Sequence, residues 1–560
     1  MPPPTARVPF CGWPAAADQF YANACVSNIF SATRIRAASA PATASRMTIT
    51  GAVTAGHELT AQAAEVLLRD GGNAFDAAIG AFFMACVAEP VLASPGGGGF
   101  VMAHAADRND TVALDFFTQT PGSRRPESEL DFEPVIVDFG SATQEFHMGV
   151  GSSAVPGCVR GVFELHRRLG SMPMRSIVQP ALDAARSGIT VSPLQAHVFS
   201  LVAPIYITRP APRGLFQSSS HPGQIAQAGD VIRFAELADT LEAIALEGDD
   251  LFYRGEIAHS IDTQCSGHGG CITRADMDGY EVALRRPLAI DYRDTRVLTN
   301  PPPAAGGCFV GFALKLLEPY PLSPLRFGSV DHLTTLARCL AVADNARRQE
   351  SADATGLNPL DAEMLSRYRE QVHGRTQVQR GTTHLNVMDR HGNVAAMTVT
   401  NGEGCGELVP GTGIMLNNML GEEDLNPGGF HSWTPNQRMS SMMTPTLVRF
   451  ADGRIVATGS GGSSRIRDAI LQVVVNLVDF NMNVEQAVTS PRIHVDNGAL
   501  YVEGGYDLGP LAPLFTEFSK HRVWQELNFF FGGAHTLISE AAGMHGAGDP
   551  RRGGVCRIVR

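Results

Sequence analysis

The chain has 560 residues, 44% of them apolar, and a formal charge of −12. It is long enough to bury a large core, and length alone predicts roughly three or four domains. The charge is spread without long single-sign blocks, which excludes a basic nucleic-acid footprint and a polybasic membrane patch. No apolar run approaches the ~20 residues of a transmembrane segment, so a soluble protein is expected, cytoplasmic or organellar in preference to secreted.

Residues 1–46 form a Pro/Ala/Ser-rich lead with Arg7, Arg34, Arg36 and Arg46 against a single acid, Asp18. This suits a disordered extension or an organelle transit peptide and lacks the apolar core of a secretory signal. A start at Met47 is the other reading, because Met47 opens a strand-like run to Val53. Leu59, Ala63, Val66 and Leu67 then recur at helical spacing from Glu58 to Arg69, and Gly71-Gly72 closes that helix. Asn73 reads as the cap of a second helix, Phe75 to Val87, apolar on nearly every side and therefore buried. The loop Ser94-Pro95-Gly96-Gly97-Gly98-Gly99-Phe100 lacks the Lys and Ser/Thr of a phosphate cradle, so its glycines are read as permitting close packing near a site.

Val101 to His104 and Val112 to Phe117 read as strands, 157 to 187 and 231 to 246 as helical, and Phe309 to Leu317 as an apolar helix after the stiff turn Pro301 to Gly307. The ten cysteines show no zinc-ligand spacing and are expected as reduced, mostly buried thiols. Cys265 and Cys271 flank glycine-rich turn residues and would pair only in an oxidising compartment. The polar stretch from Arg367 to Arg380 has few apolar anchors and reads as an exposed, movable segment.

Beyond it, Thr382 to Asp389 and Val394 to Thr400 are β-rich runs around Arg390-His391-Gly392-Asn393, the pattern of a hairpin. Centring the pairing on His391 sets Thr382 opposite Thr400, with Cβ atoms about 4.5–5.5 Å apart. Read alone, Thr382 and Thr383 are explained by β-propensity. A threonine released as a chain terminus is different, since its α-amine, with a pKa of about 7.7, serves as the base for its own hydroxyl. Further on, the Gly459–Ser464 loop feeds the apolar helix from Asp468 to Val478 and presents unpaired N–H groups suited to an oxyanion or carboxylate.

From about Met47 onward the sequence resembles the γ-glutamyltranspeptidases (glutathione hydrolases) of the N-terminal-nucleophile hydrolase superfamily. The matching stretches are the Gly-Gly-Asn-Ala-Phe-Asp-Ala-Ala run from Gly71, Gly96 to Phe100, Ala154-Val155-Pro156-Gly157, Pro301 to Gly307, Thr382-Thr383-His384, Ser440-Ser441-Met442, Gly459 to Arg465 and Gly548-Asp549-Pro550-Arg551.

The resemblance implies an α+β fold, a four-layer αββα sandwich forming one globule from two autoproteolytic chains, 47–381 and 382–560, cut between Gly381 and Thr382. It implies a self-processing γ-glutamyl hydrolase/transpeptidase that acts through a threonyl acyl-enzyme on γ-glutamyl amides such as glutathione, passing the acyl group to water or an amine. Thr382 and Thr400 take the catalytic positions. Ser440 and Ser441 match the serines that bind the substrate carboxylate, an acid among Glu422 and Glu423 matches the one that holds the amine, and Gly462 and Ser463 match the oxyanion-hole pair. No cofactor or metal is implied; the partners are the small-molecule substrate and the two chains themselves.

Three departures stand out. Asp115-Phe116-Phe117 carries a phenylalanine where the family has a substrate-clamping arginine, with Arg124 or Arg125 as the candidate substitutes. The Glu422–Ser440 interval is short, which predicts an open site. Asn401 follows Thr400 directly, one residue early for the family's substrate-binding asparagine. The alternatives are therefore a glutaryl or cephalosporin-type acylase on the same fold, or an unprocessed, non-catalytic binding homologue.

Overall fold

Two antiparallel sheets carry the architecture. The first has seven strands in the spatial order Val555–Val559, Gly51–Ala55, Thr383–Asp389, Val394–Thr400, Gly98–Ala105, Asp110–Phe116 and Ala283–Arg285. The second has six, Gly543–Ala547, Gly533–Glu540, Ile455–Gly461, Thr446–Phe450, Thr295–Thr299 and Leu288–Tyr292. The computed structural model describes residues 49–138, 143–352, 357–369, 382–426 and 428–560, and Thr48–Arg560 forms one compact unit. The N-terminal lead, residues 370–380 of the polar stretch and Gly381 lie outside the described residues; Arg367 to Arg369 close the helix Ala362–Arg369.

The period of two decides what each sheet face meets. Ala52, Met102, Met388 and Ala396 from the first sheet share an apolar cluster with Leu298, Leu447, Ala457 and Leu537 from the second. The alternate residues Val53, Val101, Val387 and Met397 face helices, including Glu58–Arg69 and the wholly buried Ala74–Ala88. Val297, Val448 and Val456 of the second sheet pack instead on a separate helical set, with Phe309, Leu336 and Ile470 among its residues.

The helix at Glu58–Arg69 has the expected bounds, and Asn73 and Asp76 form a reciprocal capping box on Ala74–Ala88. Elsewhere the expectations need correction. The strand expected from Met47 begins at Gly51. The 157–187 region is two helices, Cys158–Leu169 and Met174–Ser187. They part because the Asp76 carboxylate accepts the N–H groups of Ser171 (2.9 Å) and Met172 (3.2 Å) and pins the turn. In 231–246 the helix starts only at Ala235, since Val231 and Ile232 pair with Thr190 and Ile189. Cys265 and Cys271 are both unpaired buried thiols. Among the described residues no helix is long and apolar enough to cross a membrane.

Candidate active site

The hairpin register is fixed by one carboxylate. Asp389 Oδ1 accepts the N–H groups of His391 (2.8 Å) and Asn393 (3.1 Å), while Oδ2 accepts the Asn393 amide (2.8 Å) and the N–H of Ala74 at a helix N-terminus (3.0 Å). Pairing then runs from Met388 opposite Val394 to Thr383 opposite Val399. The next step along this register sets Thr382 against Thr400. Both threonines are buried, and both line one narrow cleft of about 50 Å³.

Glycines hold Thr382 in place. A Cβ on Gly461 would lie 2.0 Å from the Thr382 carbonyl oxygen, so the second sheet approaches Thr382 through bare backbone. The Gly96–Gly99 loop packs as the sequence suggested: a Cβ on Gly97 would lie 2.3 Å from the Thr400 carbonyl oxygen. Thr400 Oγ1 accepts the Gly402 N–H at 3.0 Å. On the opposite side of the strand, Thr383 and Thr60 each donate to the buried Glu89 carboxylate at 2.8 Å. Burial and the neighbouring His535 push His384 down to about 3, so it stays neutral, with Nδ1 near Thr398 Oγ1 (2.8 Å) and Nε2 near Asn386 Oδ1 (3.0 Å).

Of the expected donor-pocket residues, Glu422, Ser440 and Ser441 line the cleft. Glu422 is buried whereas Glu423 is exposed and outside the lining, which separates the two acids. Asp424, not singled out from sequence, does line it. Its spacing of two from Glu422 was the available clue. Ser440 Oγ donates to the Pro303 carbonyl (2.8 Å), and Ser441 Oγ accepts the Met443 N–H (3.1 Å). Asn401 is buried outside the lining, with both amide atoms unpartnered. At the following position a Cβ on Gly402 would lie 2.2 Å from both Glu422 Oε1 and Asn418 Oδ1, leaving no room for an asparagine there.

The strand Ile455–Gly461 runs through Gly462 and Ser463 into the helix Ser464–Val478. Gly462 has φ +122° and Ser463 φ +54°, ψ −125°. For serine this is a glycine-favouring conformation, at a strain on the order of 1–3 kcal/mol. Ser463 lines the cleft and Gly462 adjoins it. Behind this loop Asp549 accepts from Arg492 (2.6 Å), Arg551 (3.1 Å) and the Ala534 N–H (2.8 Å), and against the opposing effect of burial the two buried arginines hold its carboxyl well below the usual range.

Phe117 also lines the cleft, fully buried and stacked on Phe100 with centroids 5.5 Å apart. Its carbonyl accepts from Tyr280 (2.7 Å) and its N–H donates to Asp115 (3.1 Å), a carboxylate paired with Arg285 (2.8 Å). Neither candidate substitute enters: Arg124 donates to the His431 carbonyl (2.7 Å) and Arg125 to that of Ser266 (3.5 Å). Among the described residues the lining contains no histidine, lysine or arginine.

The sequence profile described as Gamma-glutamyltranspeptidase matches residues 60–559. The chain belongs to that family. It is 31% identical over 482 residues to the Acylase ACY 1 proenzyme of Pseudomonas sp. (strain SE83), covering 83% of this chain and 85% of that protein. It is 28% identical over 486 residues to the Glutathione hydrolase proenzyme of Bacillus subtilis (strain 168), covering 80% and 81%. Among solved structures, a cephalosporin acylase from Bacillus halodurans superposes with a TM-score of 0.78 at 24% identity, over 94% of this chain and 99% of that one, a likeness of fold. Members of this family bearing hydrolase and acylase names thus lie at similar distances from the chain, which is an enzyme of the gamma-glutamyltranspeptidase and acylase group.

Proposed function

We propose that the protein is a self-processing γ-glutamyl hydrolase/transpeptidase with Thr382 as its nucleophile. The carrying observation is the convergence of Thr382, Thr400 and the Gly461–Ser463 loop on one cleft. With no histidine lining that cleft, the base for Thr382 Oγ1 is its own α-amine, available once the Gly381–Thr382 bond is cut. Thr382 Oγ1 attacks the acyl carbonyl and its proton passes to the α-amine and then to the departing amine. Water or a second amine resolves the acyl-enzyme. The N–H groups of Gly462 and Ser463 donate to no backbone carbonyl among the described residues and take the oxyanion. Glu422 and Asp424 receive the substrate α-amine, and Ser440 and Ser441 its α-carboxylate. The three apolar clusters support a four-layer αββα sandwich, shared after cleavage by chains 47–381 and 382–560.

The likeness to an acylase proenzyme supports a second reading, an acylase whose donor is a glutaryl or cephalosporin-type amide. Phe117 removes a cation that either donor's terminal carboxylate could use, and a glutaryl group differs from a γ-glutamyl one only in lacking the α-amine. The lining acids weigh against the second reading, because a glutaryl carboxylate placed beside Glu422 and Asp424 would be repelled. Processed enzyme assayed with γ-glutamyl and glutaryl anilides separates the two, and faster glutaryl turnover rejects the first. A single full-length band on a denaturing gel, with neither anilide turned over, would instead identify a non-catalytic homologue. In Thr382→Ala, splitting and turnover should both be lost while the cooperative melt remains.

A further inference from the structure

Ser463 is a serine without either of the usual reasons for one. It occupies the position before the helix Ser464–Val478, where a serine ordinarily caps, yet its side chain makes no capping hydrogen bond. Its backbone, at φ +54° and ψ −125°, is one that glycine adopts more easily. Four of the seven described non-glycine residues with positive φ are asparagines, which tolerate it best; of the seven, only Ser463 lines the cleft with Thr382.

The surroundings impose the strain. Gly461 is pressed on the Thr382 carbonyl, and a Cβ on Gly462 would lie 3.1 Å from both Gly532 Cα and the Arg552 guanidinium. The loop path is therefore fixed before residue 463 is reached, and glycine there would be the relaxed choice. A strained serine that caps nothing and lines the same cleft as Thr382 brings a hydroxyl group to that cleft.

We propose that the Ser463 hydroxyl is a catalytic donor to the oxyanion formed when Thr382 attacks its substrate, alongside the N–H groups of Gly462 and Ser463. This rests on the reading of Thr382 as nucleophile. A serine's N–H and hydroxyl are a few bonds apart and can converge on one acceptor. As the Thr382 Oγ1–carbon bond forms, the carbonyl π pair moves onto oxygen, and Ser463 Oγ–H donates to it without giving up its proton. On collapse the pair returns, the amine leaves with the proton held by the Thr382 α-amine, and the Ser463 hydrogen bond weakens again.

Two variants test this, with rates referred to processed small chain. Ser463→Ala keeps the Cβ and the strain but loses the hydroxyl; Ser463→Gly loses both. Both should lose about 10²-fold in kcat with KM within about twofold, while Ser463→Gly melts at a higher temperature than wild type. Splitting at Thr382 generates an oxyanion of the same kind and should slow in parallel. Wild-type kcat in either variant overturns the assignment, as does raised KM with kcat preserved, which would put the hydroxyl on the bound acyl chain instead. Activity retained in Thr382→Ala would overturn the nucleophile reading and this one together; a dead Thr382→Ala beside an unimpaired Ser463→Ala overturns this one alone.

Discussion

Gly461→Ala tests the positioning of Thr382, the proposed nucleophile, without touching its hydroxyl. The added Cβ would sit 2.0 Å from the Thr382 carbonyl oxygen, and non-bonded contacts of a real Cβ begin near 3.0 Å. The two strands must separate by about 1 Å, in a place where neither side can yield by rotating a side chain, because the obstructing atom is backbone. A displacement of ~1 Å at a reacting group lowers turnover about 10²-fold. Splitting on a denaturing gel and anilide turnover would both register the loss. Gly214→Ala is the control, because a Cβ there meets nothing within 4 Å in the helix Pro210–Phe216. A Gly461→Ala protein that splits and turns over like the Gly214→Ala control would refute the account of how Thr382 is held.

Thr400→Val removes the hydroxyl that accepts the Gly402 N–H and faces Thr382; kcat should fall at least about tenfold with a near-native melting temperature. Glu422→Gln exchanges a charged acceptor for a neutral one. KM for a γ-glutamyl anilide should rise about tenfold or more, with little change for a glutaryl anilide, and equal effects on both would remove Glu422 from amine recognition. Burial holds His384 at about 3 and His535 at about 4, so between pH 6.5 and 4 the unfolded chain binds protons that the folded one does not. Stability must then fall as pH drops through that window, and urea midpoints at pH 7 and pH 5 measure it; a flat profile would contradict the buried neutral pair.

The hairpin was legible because its turn is local: Asp389, Gly392 and Asn393 sit within a few residues of the strands they align. The threonine pair followed from that register by arithmetic. The choice between Glu422 and Glu423 was not legible, since it depends on a short 3-10 turn that buries one acid and exposes the next. Asn401 shows the limit of matching by position. Strand alternation turns it from the face that Thr400 presents, and the crowding of Gly402 against Glu422 arises from chain segments far apart in sequence. Arg124 and Arg125 were near Phe117 in sequence, but their guanidinium groups are spent on distant carbonyls. The ion cluster of Arg492, Glu503, Asp549 and Arg551 joins three separated segments and has no local pattern to announce it.

The strand order has a consequence for what processing can release. Thr383–Asp389 and Val394–Thr400 lie between Gly51–Ala55 on one side and Gly98–Ala105 on the other, while Gly51–Ala55 is itself enclosed by Val555–Val559. A break ahead of Thr382 therefore leaves two polypeptides interleaved in one ladder, with no seam along which they can part. Dilution should not separate them, and their dissociation would be an unfolding reaction instead of a binding equilibrium. The proposed cut would free an amine without freeing a subunit.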